Sequence, residues 1–121
     1  MSDPAIPADD GAWLLRGGEV LAAAEVAHSY LARIRGLLGR GAFDGALVLP
    51  HTRSVHTVGM RFAIDVAFLD SKLVVVDTVC MEPWRMTRPR LKCRTVLEAQ
   101  AGAFERWRIA PGDQLELHLG S

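Results

Sequence analysis

FAIDVAFLDSKLVVVDTVCME, Phe62 to Glu82, sets the fold class. Phe62, Ile64, Val66 and Phe68 share one side of an extended chain, and Ala63, Asp65, Ala67 and Leu69 share the other, so the run reads as a strand with an acid inside it. A turn at Asp70-Ser71-Lys72 precedes a second apolar run from Leu73 to Glu82. The two together predict a central β-hairpin.

Shorter signals of the same kind surround it. Ala12 to Arg16 and Val20 to Ala27 flank Gly17-Gly18, a pair that accepts positive φ and suits a hairpin turn, although alanines 22 to 24 weaken the second run. Ala46 to Leu49 is a brief strand ended by Pro50. Thr95 to Ala101 reads as a strand or short helix, and Gly102 to Trp107 as a helical turn. Pro111-Gly112 occupies the centre of a type II turn, before a last strand in which Leu115, Leu117 and Leu119 alternate with Glu116 and His118.

The one long helix is predicted at SYLARIRGLLGR, with Ser29 as its cap and Gly39 as its stop. Tyr30, Leu31, Ile34, Leu37 and Leu38 form its apolar stripe. Gly36 inside it costs about 1 kcal/mol relative to alanine, which suggests that another backbone comes close. Without any βαβ alternation, these elements predict a mainly β protein, a compact antiparallel barrel or sandwich with one packed helix.

The 121 residues suit a single domain able to bury roughly 65% of its unfolded surface. Residues 1–10 offer no apolar face and read as a disordered lead, which leaves residues 11–121 as the folded unit. Lys plus Arg equals Asp plus Glu at 14 each, so no overall field selects nucleic acid or membrane. The first residues lack a secretory pattern and no run is long enough to span a bilayer, so a cytoplasmic protein is expected. Cys80 and Cys93 match no metal spacing and read as two buried or half-buried thiols.

With the segments placed, the chain resembles the family catalogued as domain of unknown function 192 (DUF192), small bacterial and archaeal proteins. RIRGLLGR, AIDVAFLD, TVLEAQAG and PGD carry the resemblance in that order, from about Val20 to Leu119. It implies a compact β-rich fold with the helix packed on it, and no established activity, substrate or cofactor. Where many members read Phe-Trp-Met-Lys-Asn-Thr, this chain has Val55-His56-Thr57-Val58-Gly59-Met60, so nothing is carried over for those positions.

Four groups of residues carry candidate chemistry. His51, Arg53, His56 and Thr57, in the polar connection before the acidic strand, could gather imidazole, hydroxyl and guanidinium groups around an anion, or transfer protons. Asp65 must be paired or wet, since a buried lone carboxylate costs several kcal/mol. Arg40, Arg61 or backbone N–H groups are its expected partners, and His56 with Asp65 is the candidate acid–base pair. Glu98 is expected to pair with Arg33 or Arg40.

The fourth group is Arg85, Arg88, Arg90, Lys92 and Arg94. The last four alternate, and an extended chain would aim them to one side as an anion-binding stripe or a charged edge that resists strand addition. Trp84 beside them could stack on a base, but aromatic interleaving is lacking and nucleic acid is disfavoured. A metal set of His51, His56, Asp65 and Glu98 has no recognised spacing, so neither metal nor cofactor is expected. The reading is a non-enzymatic binding or interaction module for a small anionic ligand or an acidic protein, with a small hydrolase or isomerase as the alternative.

Overall fold

The computed structural model describes residues 11–27 and 45–119. The predicted helix from Ser29 to Arg40, with Arg33 and Arg40, lies outside the described residues, as does the 1–10 lead. Seven strands occur among those described: β1 (Gly11–Arg16), β2 (Glu19–Val26), β3 (Ala46–Pro50), β4 (Ile64–Leu69), β5 (Val75–Met81), β6 (Thr95–Gln100) and β7 (Glu116–Leu119). One short helix, α1 (Ala103–Trp107), follows β6.

The strands form one sheet in the order β5-β4-β6-β3-β2-β1-β7. Mainly β is therefore correct, whereas the barrel or sandwich needs amending. The ladder stays open, and its two edges meet only at one end. There Val74 bridges Gln114, Val75 N–H donates to Asp113 O, and Leu115 N–H donates to Leu73 O. The sheet is also not wholly antiparallel, because β2 and β3 run parallel, Ala24 to Val26 beside Ala46 to Val48. A parallel neighbour needs a long crossover, and residues 27–45 provide the length.

Local chemistry explains the junctions. Gly17 and Gly18 both have positive φ (59° and 83°), as a two-residue hairpin turn with the twist of its strands requires. Gly45 admits β3 beside β2, because a Cβ there would stand 2.7 Å from the Ala23 carbonyl oxygen. Gly112 has φ 95°, and Asp113 N–H donates to Ala110 O, closing the turn expected at Pro111-Gly112.

Both faces of the central strands are buried, as the apolar residues on each side of β4 anticipated. One face packs Leu14, Val48, Leu69, Leu97 and Leu115 against Phe104 of α1. The other packs Leu47, Ile64, Val66, Phe68 and Val96 against Val55, Met60 and Cys93. Segments 51–62 and 83–94 thus cover the second face, which brings the polar connection and the basic stripe together. No helix among the described residues is long and apolar enough to cross a membrane.

Candidate functional site

The two covering segments run antiparallel as an irregular ribbon. Thr57 N–H donates to Arg85 O (2.8 Å), Thr87 N–H to Val55 O (2.9 Å) and Arg90 N–H to Arg53 O (2.9 Å), and His56 bridges Met86. Alternation then divides the ribbon into two sides. Val55 and Thr57 face inward and are buried, while the His56–Met86 pair sits on the opposite side, His56 half-buried and Met86 76% exposed.

Thr57 is the fastener. Its hydroxyl donates to Glu82 O (2.6 Å) and accepts from Arg85 N–H (2.8 Å), and its carbonyl accepts from Met60 and Trp84 N–H. A fully buried hydroxyl is satisfied at the point where both segments must be held. Thr57 therefore shapes the ribbon and presents no group to a ligand.

Trp84 stands beside this knot, 65% exposed, with φ at 63°. A bulky side chain in left-handed backbone costs on the order of 1 kcal/mol, and an exposed indole recovers little of it by burial. Val58 (47%) and Leu91 (83%) are further exposed apolar side chains on the same two segments. Residues 51–64 and 83–94 contain no Asp or Glu, yet carry seven of the chain's 14 cations, Arg53 and Arg61 in the first and five in the second. With the whole chain neutral, these two segments carry a local excess of positive charge.

The basic residues do not form one straight stripe. The chain turns at Leu91-Lys92, where Cys93 N–H donates to Arg90 O (3.0 Å), so the alternation from Arg88 to Arg94 is interrupted. Arg90 folds inward, with its guanidinium 4.5 Å over the Phe68 ring and 3.3 Å from Asp77. Arg94 donates to the carbonyls of Leu91 and Cys93. Arg85 approaches Glu82 at 4.0 Å, an exposed pair of little energetic weight. Arg53, Arg85, Arg88, Lys92 and Arg94 are exposed, as is His51 at the ribbon's start, with φ 54°.

Asp65 belongs to a different constellation. It is 8% exposed on the face of β4 that α1 covers, and its Oδ2 accepts from Gly102 N–H (2.9 Å) and Phe104 N–H (3.1 Å). Of the partners expected for it, the backbone N–H groups are the ones found. The carboxylate does the work of a cap for α1 from a neighbouring strand, satisfying N–H groups that the helix leaves unpaired. Asp65 thus lies on the α1 side of the sheet and His56 on the ribbon that covers the other side, so the fold does not bring this candidate pair together.

Cys80, opposite Asp65 in β5, is exposed, contrary to the expected buried or half-buried thiol. Partial desolvation, then the Asp65 charge and hydrogen bond, then Glu82, push its thiol up. Cys93 is buried, and its thiol donates to Thr52 O (3.2 Å). Glu98 is 0% exposed on the other face, with Leu47 and Val66 as its neighbours across the sheet. Asp65 and Glu98 thus lie on opposite faces, so the metal set His51, His56, Asp65 and Glu98 is not assembled. Among the described residues no group of three or more His, Cys, Asp or Glu could hold a metal.

The comparisons with known proteins agree with the fold. The family model DUF192, described as an uncharacterized ACR, matches residues 13–117. A UPF0127 protein of Pyrococcus furiosus is 36% identical over 106 residues, covering 84% of this chain and 91% of its own length. A protein of unknown function from Novosphingobium aromaticivorans has a similar structure, with TM-score 0.68 and 20% identity, covering 88% of this chain and 83% of that one. A candidate transcription regulator from Sinorhizobium meliloti superposes with TM-score 0.71 at 23% identity over 88% and 92% of the two chains. At such identities the likeness is one of fold alone.

Proposed function

We propose that this chain, which belongs to the DUF192 family, is a non-enzymatic binding domain that engages an anionic partner through the ribbon of residues 51–60 and 83–94. The observation that carries this reading is the tripeptide Trp84-Arg85-Met86. All three side chains are exposed, and they sit on acid-free segments fixed by the buried Thr57. Exposed apolar side chains rimmed by cations mark interaction surfaces, and steric cost tolerated at such a residue points the same way. Arg53, Arg85, Arg88 and Lys92 supply the charge and Trp84 and Met86 the apolar contact. Arg90 and Arg94 act mainly within the ribbon, through Phe68, Asp77 and the turn carbonyls.

The test uses two defined anions, polyglutamate and inorganic polyphosphate, titrated by calorimetry at low and at high salt. Wild type is expected to bind at least one of them with an affinity that falls as salt rises. The charge reversal Arg85→Glu/Arg88→Glu is expected to lose that binding while keeping its melting temperature. Equal binding by wild type and the reversal, or no binding of either anion, overturns the reading.

A further inference from the structure

We infer that the ribbon docks on an anionic lipid surface, with Trp84, Met86 and Leu91 entering the headgroup region and Arg85, Arg88 and Lys92 pairing with lipid phosphates. This rests on the reading of the ribbon as an anion-binding surface and names the partner's class.

The distribution of the apolar side chains favours a membrane over a protein. Trp84, Met86 and Leu91 project singly, each next to a cation: Arg85 follows Trp84 and precedes Met86, and Leu91 lies between Arg90 and Lys92. Trp84 and Leu91 lie seven residues apart, so at ~3.3 Å per residue up to about 20 Å of ribbon separates them. A folded partner would have to provide separate pockets over that span, with acids between them. A bilayer surface accepts separate insertions anywhere and supplies phosphate around each.

The residue types agree with this. Tryptophan suits the interface, where its ring is desolvated and its N–H stays wet, and arginine and lysine keep their charge at headgroup level while their stems lie along apolar surface. Residues 51–64 and 83–94 contain no carboxylate, and the exposed Glu82 that borders them faces Arg85 at 4.0 Å. The Thr57 hydrogen bonds already hold the ribbon in place, so docking orders little backbone. A nucleic-acid surface fits less well, since Trp84 is the one exposed side chain among the Phe, Tyr and Trp residues of 51–64 and 83–94.

The experiment is co-sedimentation with vesicles of phosphatidylcholine alone and of phosphatidylcholine with about one-third phosphatidylglycerol, with Trp emission recorded in parallel. Wild type is expected to sediment with the anionic vesicles, with a blue-shifted emission, and to stay in solution with the neutral ones. Trp84→Phe should keep most of the binding and lose the shift, which assigns the signal to residue 84 and not to Trp13 or Trp107. Trp84→Ala/Met86→Ala should weaken binding about tenfold or more, and Arg85→Glu/Arg88→Glu should abolish it, circular dichroism confirming that both variants fold. Anionic vesicles left unbound while polyglutamate or polyphosphate still binds through Arg85 and Arg88 would overturn the membrane proposal and leave the anion-binding reading standing. Failure of every anion overturns both, and vesicle binding unaffected by either double substitution places the contact elsewhere and refutes the proposal.

Discussion

Replacing Asp65 separates a cap from a catalytic acid, because the two roles demand opposite things of asparagine. In the structure Oδ2 accepts two N–H bonds, from Gly102 and from Phe104, and the second is buried. Asp65→Ala leaves the Phe104 N–H without a partner in the core and the Gly102 N–H dependent on water. Unmet buried donors cost about 1 to 3 kcal/mol each, and loss of a helix cap costs about 0.5 to 2, so about 3 kcal/mol is expected for the alanine variant. Asp65→Asn retains an acceptor oxygen in the same place and gives up only the charge, for about 1 kcal/mol. In a domain of this size these become drops of about 12 and 4 °C in melting temperature. Urea unfolding with a two-state fit supplies the free energies directly. Asparagine as damaging as alanine would mean that the charge and not the acceptor matters. An alanine variant within 1 kcal/mol of wild type would mean that Asp65 does not hold α1.

Other residues give checks of different kinds. Arg16 donates to the Trp107 and Arg108 carbonyls and to Asp113, a forked contact that lysine lacks. Arg16→Lys is accordingly expected to cost about 1 kcal/mol and Arg16→Ala about 2 in urea unfolding, and a fully stable lysine variant would contradict the geometry. Asp70 Oδ1 accepts from Val74 and Lys72 N–H, which hold its carboxyl below the ordinary value. A depressed folded pKa contributes stability above the unfolded value and loses it as pH falls through the folded one. The melting temperatures of wild type and Asp70→Asn should therefore differ at pH 7 and converge below roughly pH 4, and a constant gap down to pH 2 would be the contrary result. Cys80 is exposed but held protonated, so at pH 8 it should react with iodoacetamide more slowly than a free cysteine peptide. Asp65→Asn should speed the reaction severalfold, and unchanged rates, followed by mass spectrometry at residue 80, would remove Asp65 from the cause. Trp84→Asn should raise stability by about 0.5 to 1 kcal/mol, because asparagine tolerates the φ of 63° that tryptophan does not, and should weaken vesicle binding. A destabilised asparagine variant would show that the indole packs more than its exposure suggests.

Elements governed by local rules were legible in the sequence. The hairpin of β4 and β5 followed from a period of two, the turns at Gly17-Gly18 and Pro111-Gly112 from residues that accept positive φ, and α1 from its position after Gly102. What escaped depends on distant partners. The parallel pairing of β2 with β3 and the meeting of Val74 with Gln114 are long-range events without a local mark. The role of Asp65 was open for the same reason, since its donors lie 37 and 39 residues away. Alternation of the basic residues was real, but a turn at Leu91-Lys92 and capture of Arg90 by Phe68 and Asp77 rearranged it. The exposure of Trp84 had no signal of its own. The absence of any acid from residues 51–64 and 83–94 was readable and would have joined the two segments into one candidate site.

The ribbon is built differently from a sequence motif. A motif fixes reactive side chains at set spacings on one element, whereas here two segments about thirty residues apart are joined by backbone bonds, and the hydroxyl that fastens them is buried. On the proposed reading, the surface so formed needs no particular residue at any one exposed position, only positive charge and protruding apolar groups. Thr57 is the exception. With both faces of its hydroxyl engaged, Thr57→Val would leave the half-buried Arg85 N–H without its partner and release Glu82 O, freeing the Trp84 turn while the sheet beneath keeps its own ladder. The inward residue that touches no partner is therefore the one on which the exposed ones depend.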